Sequence, residues 1–255
     1  MYRVCMRFYE ELNDLLPEHM RKRDFEWEFP GKRSVKDLIE SFGVPHTEVD
    51  LILVNGESVD FSYIVNDGDR ISVYPIFEGF SIQDVTRLRP KPLRNPRFVS
   101  DIHLWKLTRM LRLLGLDVDF DKHRSSHDLA EISEREDRIL LTRARQLLMQ
   151  KNVSHGIFIR HMDPDKQLRE LFDRLDLRNL CTPFSRCTVC NGLLKKVDSE
   201  DETFAAIQPK IPKHVLSWCK VYNLCLSCGK IYWEGTHYDK LKAKVEAVLN
   251  NGTEQ

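Results

Sequence analysis

Two pairs of cysteines constrain this 255-residue chain more than any other feature. Cys187-Thr188-Val189-Cys190 and Cys225-Leu226-Ser227-Cys228 are Cys-x2-Cys knuckles with 34 residues between them. Each knuckle turns two thiolates toward one point, and two knuckles supply the four ligands that close a tetrahedron round Zn2+. Gly192 and Gly229 follow, where a tight turn must present backbone N–H groups to sulfur. Four protein ligands leave no open coordination position, so such a zinc is structural. The gap between the knuckles is longer than in a compact finger and predicts a small sheet, as in a zinc ribbon. Of the seven cysteines, only Cys5 lies outside 181–228. In a chain that opens without the apolar stretch of a secretory signal, that clustering points to metal rather than disulfides. Cys181 and Cys219 each stand six residues before a knuckle. They read as buried free thiols, or as substitute ligands.

Charge divides the chain. The formal net charge is zero, yet residues 1–85 hold 9 basic and 17 acidic side chains, and the remainder 30 and 22. An acidic front and a basic back fit two separately solvated domains that attract each other. They equally fit a basic half that meets a polyanion such as RNA. No apolar run reaches the roughly 18 residues of a membrane span. The expected location is cytoplasmic, with no membrane partner.

Hydrophobic period changes along the chain. Residues 2–8 and 25–29 alternate as strands. Ser34 opens a helix over 35–42 that stops at Gly43, a strand at 51–54 enters an Asn55-Gly56 turn, and a strand at 70–74 follows Asn66-Asp67-Gly68-Asp69. This is the order of a ubiquitin-like β-grasp domain, assigned to 1–85, and it resembles the small sulfur carriers. Those end in a free Gly-Gly, whereas Phe77-Glu78-Gly79-Phe80 stands here and the chain continues. The domain therefore reads as a docking module for a protein partner or for nucleic acid. Residues 86–97 hold five basic residues and three prolines. They form a stiff linker, or a basic strap along a phosphate backbone.

Over 98–180 strands and helices alternate, which predicts a parallel α/β sheet. Strands are expected at 98–100, 138–142 and 156–160. Helices are expected at 103–114 and 143–150, and from Asp163-Pro164 to Leu175. Residues 181–255 hold the cysteine knuckles and a closing helix at 238–250. Sites in such sheets form beyond the carboxyl ends of strands. Asp101 ends the first strand, and Asp128 lies between the first two. Each is a candidate for holding Mg2+ or Mn2+ against a phosphate, or a helix cap. Lys106, Arg109 and Arg112 recur every three residues on the first helix, and Arg143, Arg145 and Arg160 sit near strand ends. Together they would make a phosphate-tracking groove. Trp233 reads as packed on the ribbon core.

Phe98-Val99-Ser100-Asp101-Ile102-His103-Leu104, Leu111-Arg112-Leu113-Leu114-Gly115 and Arg138-Ile139-Leu140-Leu141-Thr142-Arg143 resemble the mutator-seven C-terminal RNase family, a PIN-like fold. Pro183-Phe184-Ser185-Arg186-Cys187 and Cys228-Gly229-Lys230-Ile231-Tyr232-Trp233 resemble its zinc-ribbon tail. Bacterial members often carry a β-grasp module in front, as here. The resemblance implies metal-dependent cleavage of RNA phosphodiesters by an acidic cluster, with Asp101 as the first metal ligand and Asp128 as a second acid. Three positions depart from the family pattern. Ala144 stands where Thr-Arg is usually followed by Asp, Ser126 replaces the first of an acidic pair, and Trp105 replaces a glycine. The resemblance thus implies a ribonuclease with a depleted acidic site, alongside the alternative of an inactive RNA-binding or scaffold protein.

Overall fold

The structure, a computed structural model, describes residues 1–75, 88, 96–175 and 177–250. The Phe77-Glu78-Gly79-Phe80 segment and most of the expected basic linker lie outside the described residues. Contacts group the chain into two compact bodies, Met1–His103 with His123–Arg160, and Leu104–Lys122 with His161–Gln255. Among the described residues no helix is long and apolar enough to cross a membrane.

The N-terminal region has strands β1 (Tyr2–Phe8) and β2 (Phe25–Phe29), helix α1 (Val35–Ser41), and strands β3 (Val49–Val54), β4 (Glu57–Ser58) and β5 (Arg70–Pro75). Strand order is β2-β1-β5-β3-β4. β1 and β5 pair in parallel and the other neighbours antiparallel, the mixed sheet of a ubiquitin-like domain. Alternation buries Val4, Met6 and Phe8 of β1 with Ile71 and Val73 of β5, and α1 adds Val35, Leu38 and Ile39 to the same core. The Ser34 hydroxyl accepts from the Asp37 N–H at 3.1 Å and caps α1. Asn55 and Gly56, both at positive φ (52° and 91°), make the hairpin turn. β4 is a short strand that the period did not reveal, because two residues carry no period.

The next segment runs β6 (Phe98–Ser100), α2 (Trp105–Leu113), β7 (Val118–Asp119), α3 (Ser126–Glu136), β8 (Ile139–Thr142), α4 (Arg145–Leu148), β9 (Gly156–Phe158) and α5 (Pro164–Arg174). In the first body β6, β8 and β9 form a parallel sheet in the register Ser100↔Leu141 and Leu141↔Ile157. Every residue of β6 and β8 is buried, as expected of strands covered on both faces. Val99 and Leu140 pack with Leu129, Ala130 and Leu148 of α3 and α4. α4 is only four residues long and opens at Ala144 without a side-chain cap. The predicted helix over 143–150 lacked that start signal too.

In the second body, Asp163 caps α5 by accepting from the Asp165 and Lys166 N–H groups. Gly115 ends α2 at φ 89°, where an added Cβ would lie 2.1 Å from the Thr182 carbonyl oxygen. The C-terminal part adds β10 (Leu194–Asp198), α6 (Phe204–Ile207), α7 (Lys213–Leu216), β11 (Val221–Cys225), β12 (Ile231–Trp233) and α8 (Thr236–Asn250). β10, β11 and β12 form an antiparallel sheet in that order. The two short helices fill the rest of the gap between the knuckles. Their Ile207 and Val215 close a small core with Val197, Cys219 and Tyr222, and Trp233 packs against it.

Candidate functional site

The four knuckle sulfurs lie within 4.8 Å of one another. Cys187 Sγ is 3.7 Å from Cys228 Sγ, and Cys190 Sγ is 3.4 Å from Cys225 Sγ. Zn–S bonds of ~2.3 Å in a tetrahedron require sulfurs ~3.8 Å apart, so the thiols stand where zinc needs them. The turns explain this placement. Asn191 and Gly229 take positive φ (both about 70°), and their N–H groups bond back to the Cys187 and Cys225 carbonyls at 2.9 and 3.0 Å. At Gly192 an added Cβ would lie 3.1 Å from Cys225 Sγ and 2.4 Å from Ser227 Oγ, so that position requires glycine. Four thiols so close do not all ionise without a cation. Burial, reinforced by the neighbouring sulfurs, pushes the Cys190 thiol up to about 12. Burial also opposes ionisation of Cys187, but the Tyr232 hydroxyl and the N–H groups of Cys190 and Val189 outweigh it and bring that thiol down to about 6. The set fits a cation that takes up the remaining charge. Cys181 and Cys219 stay outside it, bonded through sulfur to the Leu177 and Val221 carbonyls.

Arg112 was expected on RNA and is instead part of this centre. It is buried, and its guanidinium donates to the Val118 carbonyl at 2.9 Å and to that of Val189, inside the first knuckle, at 2.6 Å. Burial lowers its pKa, while Asp119 and the Cys190 and Cys187 sulfurs support its charge. Steps of three residues drift by about 60° on a helix of 3.6 residues per turn. Arg112 is thus turned about 120° from Lys106, off the exposed face that Lys106 and Arg109 keep.

The acid side of the chain is organised by the parallel sheet. Asp101 is buried where β6 ends. One carboxylate oxygen accepts from the His103 N–H at 2.9 Å. The other accepts from the Thr142 hydroxyl and from the Arg143 N–H at 3.3 Å, tying the ends of β6 and β8 together. Two residues past Thr142 is Ala144, exposed, with its N–H on the Thr142 hydroxyl oxygen. Asp128 lies in the first turn of α3, fully exposed. Its carboxylate accepts from the Ser125 N–H and hydroxyl at 2.9 and 2.8 Å in a capping box. Those bonds hold its carboxyl below the usual range. The metal-capable group round Asp128 is His127 and Glu131, all exposed. Among the described residues Asp101 belongs to no group of three or more such ligands.

The strand-end arginines also depart from the expected phosphate track. Arg143 donates to the Ile159 and Arg160 carbonyls at 3.3 and 2.9 Å. Arg145 donates to the Leu15 carbonyl at 2.9 Å and lies over the Phe158 ring. Arg160 pairs with Glu48 at 3.1 Å, and Glu48 also accepts from the Phe158 N–H at 2.7 Å. Next to Glu48, His46 bridges Glu40 and the Val153 carbonyl at 2.7 and 2.8 Å. Arg145 and Arg160 fasten the ubiquitin-like domain to α4 and the end of β9, while Arg143 ties the end of β8 to residues 159–160, roles that only the three-dimensional neighbourhood reveals.

A family model described as Mut7-C RNAse domain matches residues 96–245, and one described as Mut7-C ubiquitin matches residues 1–81. No curated protein and no solved structure matches the chain.

Proposed function

Because the chain belongs to the Mut7-C RNAse domain family, we propose that it is an RNA-directed protein on a ribonuclease framework whose acidic site is depleted. The observation that carries this reading is the pair of strand ends at Asp101 and Thr142-Arg143-Ala144. A divalent cation in phosphodiester hydrolysis is held by carboxylates and activates water or neutralises the phosphoryl oxygens. Asp101 offers one carboxylate, whose oxygens already accept from Thr142, Arg143 and His103. Asp128 keeps one carboxylate oxygen on Ser125 and stands exposed beside His127 and Glu131, in a group separate from Asp101, and Ala144 offers a methyl. This donor set does not fit a resident Mg2+ or Mn2+, and no step is derived through one. What the chain's own residues do is hold the strand ends rigid and keep the Asp101 carboxylate oriented. Cys187, Cys190, Cys225 and Cys228 would hold Zn2+, which supplies folding energy rather than chemistry. Lys106 and Arg109, exposed on α2, are the expected RNA contacts that stay at the surface.

The same Ala144, and the four internally engaged arginines, favour the second reading of a binding or scaffold protein without cleavage. Cleavage of end-labelled single-stranded RNA by wild type, Asp101→Asn and Ala144→Asp, with Mg2+ and with Mn2+, decides between them. A depleted site gives slow or no cleavage by wild type, a faster Ala144→Asp and an inert Asp101→Asn. Robust Mg2+-dependent cleavage by wild type refutes the depletion. Inactivity of all three leaves the binding reading.

A further inference from the structure

α2, the ribbon strands and α8 wall a cavity of about 840 Å3 within the second body. That is in the range of about 300–1,000 Å3 typical of ligand sites. Its chemistry is specific. Two large aromatic planes stand open, Trp105 at 45% and Trp218 at 52% exposure. Trp233, Tyr238 and Phe184 line the same space, and the Phe184 and Tyr238 rings meet at 4.8 Å between centroids. Cations are interleaved with the rings. Lys106 Nζ lies 5.6 Å from the Trp105 centroid and Lys230 Nζ 5.5 Å from that of Tyr232. Arg109, Arg186 and Lys244 also line it, with Asp165 as its carboxylate. Lys244 is committed to Asp165 at 2.5 Å, whereas Lys106, Arg109 and Lys230 form no ion pair among the described residues.

An apolar peptide would leave these cations unmatched, and a duplex keeps its base faces stacked inside. A strand with open base faces and a phosphate on every unit satisfies both the rings and the charges. We propose that this groove binds single-stranded RNA, with bases stacked on Trp105 and Trp218 and phosphates held by Lys106, Arg109 and Lys230. The inference rests on RNA being the partner of the chain, and it names the form of RNA and the surface.

The test is fluorescence anisotropy with a labelled oligouridylate and with the same strand in a duplex, without added divalent cation. The single strand binds and the duplex binds more weakly. Trp105→Ala and Trp218→Ala each weaken binding by about 5- to 150-fold, the span per stacked base. Trp27→Ala, at a comparably exposed tryptophan in the ubiquitin-like domain (37%), does not. Lys106→Glu with Lys230→Glu, both at exposed positions, weakens binding and flattens its salt dependence. Equal affinity for duplex, a change under about twofold in both tryptophan variants with native zinc content and circular dichroism, or no RNA binding, overturns the proposal. Mn2+-dependent hydrolysis of bis(p-nitrophenyl) phosphate by Ala144→Asp reads the acid site without the groove. A failed groove and a failed ribonuclease site are thereby separate results.

Discussion

Removing the Glu48 carboxylate tests how the ubiquitin-like domain is held. Glu48 is fully buried, with one oxygen on the Phe158 N–H at 2.7 Å and the other on Arg160 at 3.1 Å. The Arg160 side chain is itself only 17% exposed. Glu48→Ala takes away a charge-assisted bond to a backbone N–H and leaves a guanidinium in a low-dielectric pocket. Breaking a buried pair from one side costs about 3–5 kcal/mol, a large share of the roughly 5–15 kcal/mol that holds a domain folded. Glu48→Gln keeps the acceptor for Phe158 but turns an amide toward Arg160, and should cost about 1–3 kcal/mol. Replacing both partners, Glu48→Leu with Arg160→Met, removes both charges and should be milder than Glu48→Ala. Urea denaturation followed by circular dichroism measures all three. A Glu48→Ala cost under about 1 kcal/mol, no more than an exposed pair, or a double variant worse than the single, would refute the assignment of this pair as the fastening.

Three further outcomes follow from the same geometry. Purified protein should carry about one zinc per chain, and Cys225→Ser should lose both the zinc and the protease resistance of 181–250; a metal-free protein equally resistant contradicts this. Ala144→Asp should raise the melting midpoint without any divalent metal, because it places an N-cap acceptor on the uncapped α4, worth about 0.5–1 kcal/mol; a lowered midpoint argues against that backbone geometry. Hydrogen bonds from the Thr203 hydroxyl, Lys195 and the Thr203 N–H hold the Asp201 carboxyl down to about 2. A depressed carboxyl stabilises fully above its ordinary pKa of 3.8, and that contribution fades as pH falls toward 2; an NMR titration that finds Asp201 at its ordinary value contradicts it.

Periodicity located the elements because the burial requirement repeats within a few residues. The alternation of 2–8 and the solid apolar runs of 98–100 and 139–142 appear as strands in the structure. The cysteine knuckles were legible for a related reason, since ligand geometry fixes the spacing inside each turn. The arginines were not legible. Whether a guanidinium meets phosphate or a carbonyl depends on residues distant in sequence, such as Leu15 for Arg145 and Glu48 for Arg160, 130 and 112 positions away. Nor could the chain itself say that Asp128 faces Ser125, although Ser125-x-x-Asp128 is a capping-box spacing and was the available signal. The aromatic groove was hidden because Trp105 in α2, Trp218 in the turn after α7 and Trp233 in β12 are far apart in sequence, and Trp233 alone reads as packing.

On the proposed reading, the residues at positions 105 and 144 bear on different steps of RNA handling. A methyl at 144 withholds an oxygen donor from the end of β8. The Asp101 carboxylate is then left to the chain's own donors, which hold it without any cation. Holding a strand makes no demand on that site. It requires cations that the protein has not already neutralised and faces that accept any base. Lys106, Arg109 and Lys230 meet the first requirement, and the indoles of Trp105 and Trp218 meet the second. Neither change compromises the other, because a buried carboxylate and an exposed indole share no partner among the described residues. On the proposed reading, such a chain keeps its grip on single-stranded RNA while its capacity to cut falls. Restoring one carboxylate at 144 should therefore change the rate of cleavage more than the affinity for RNA.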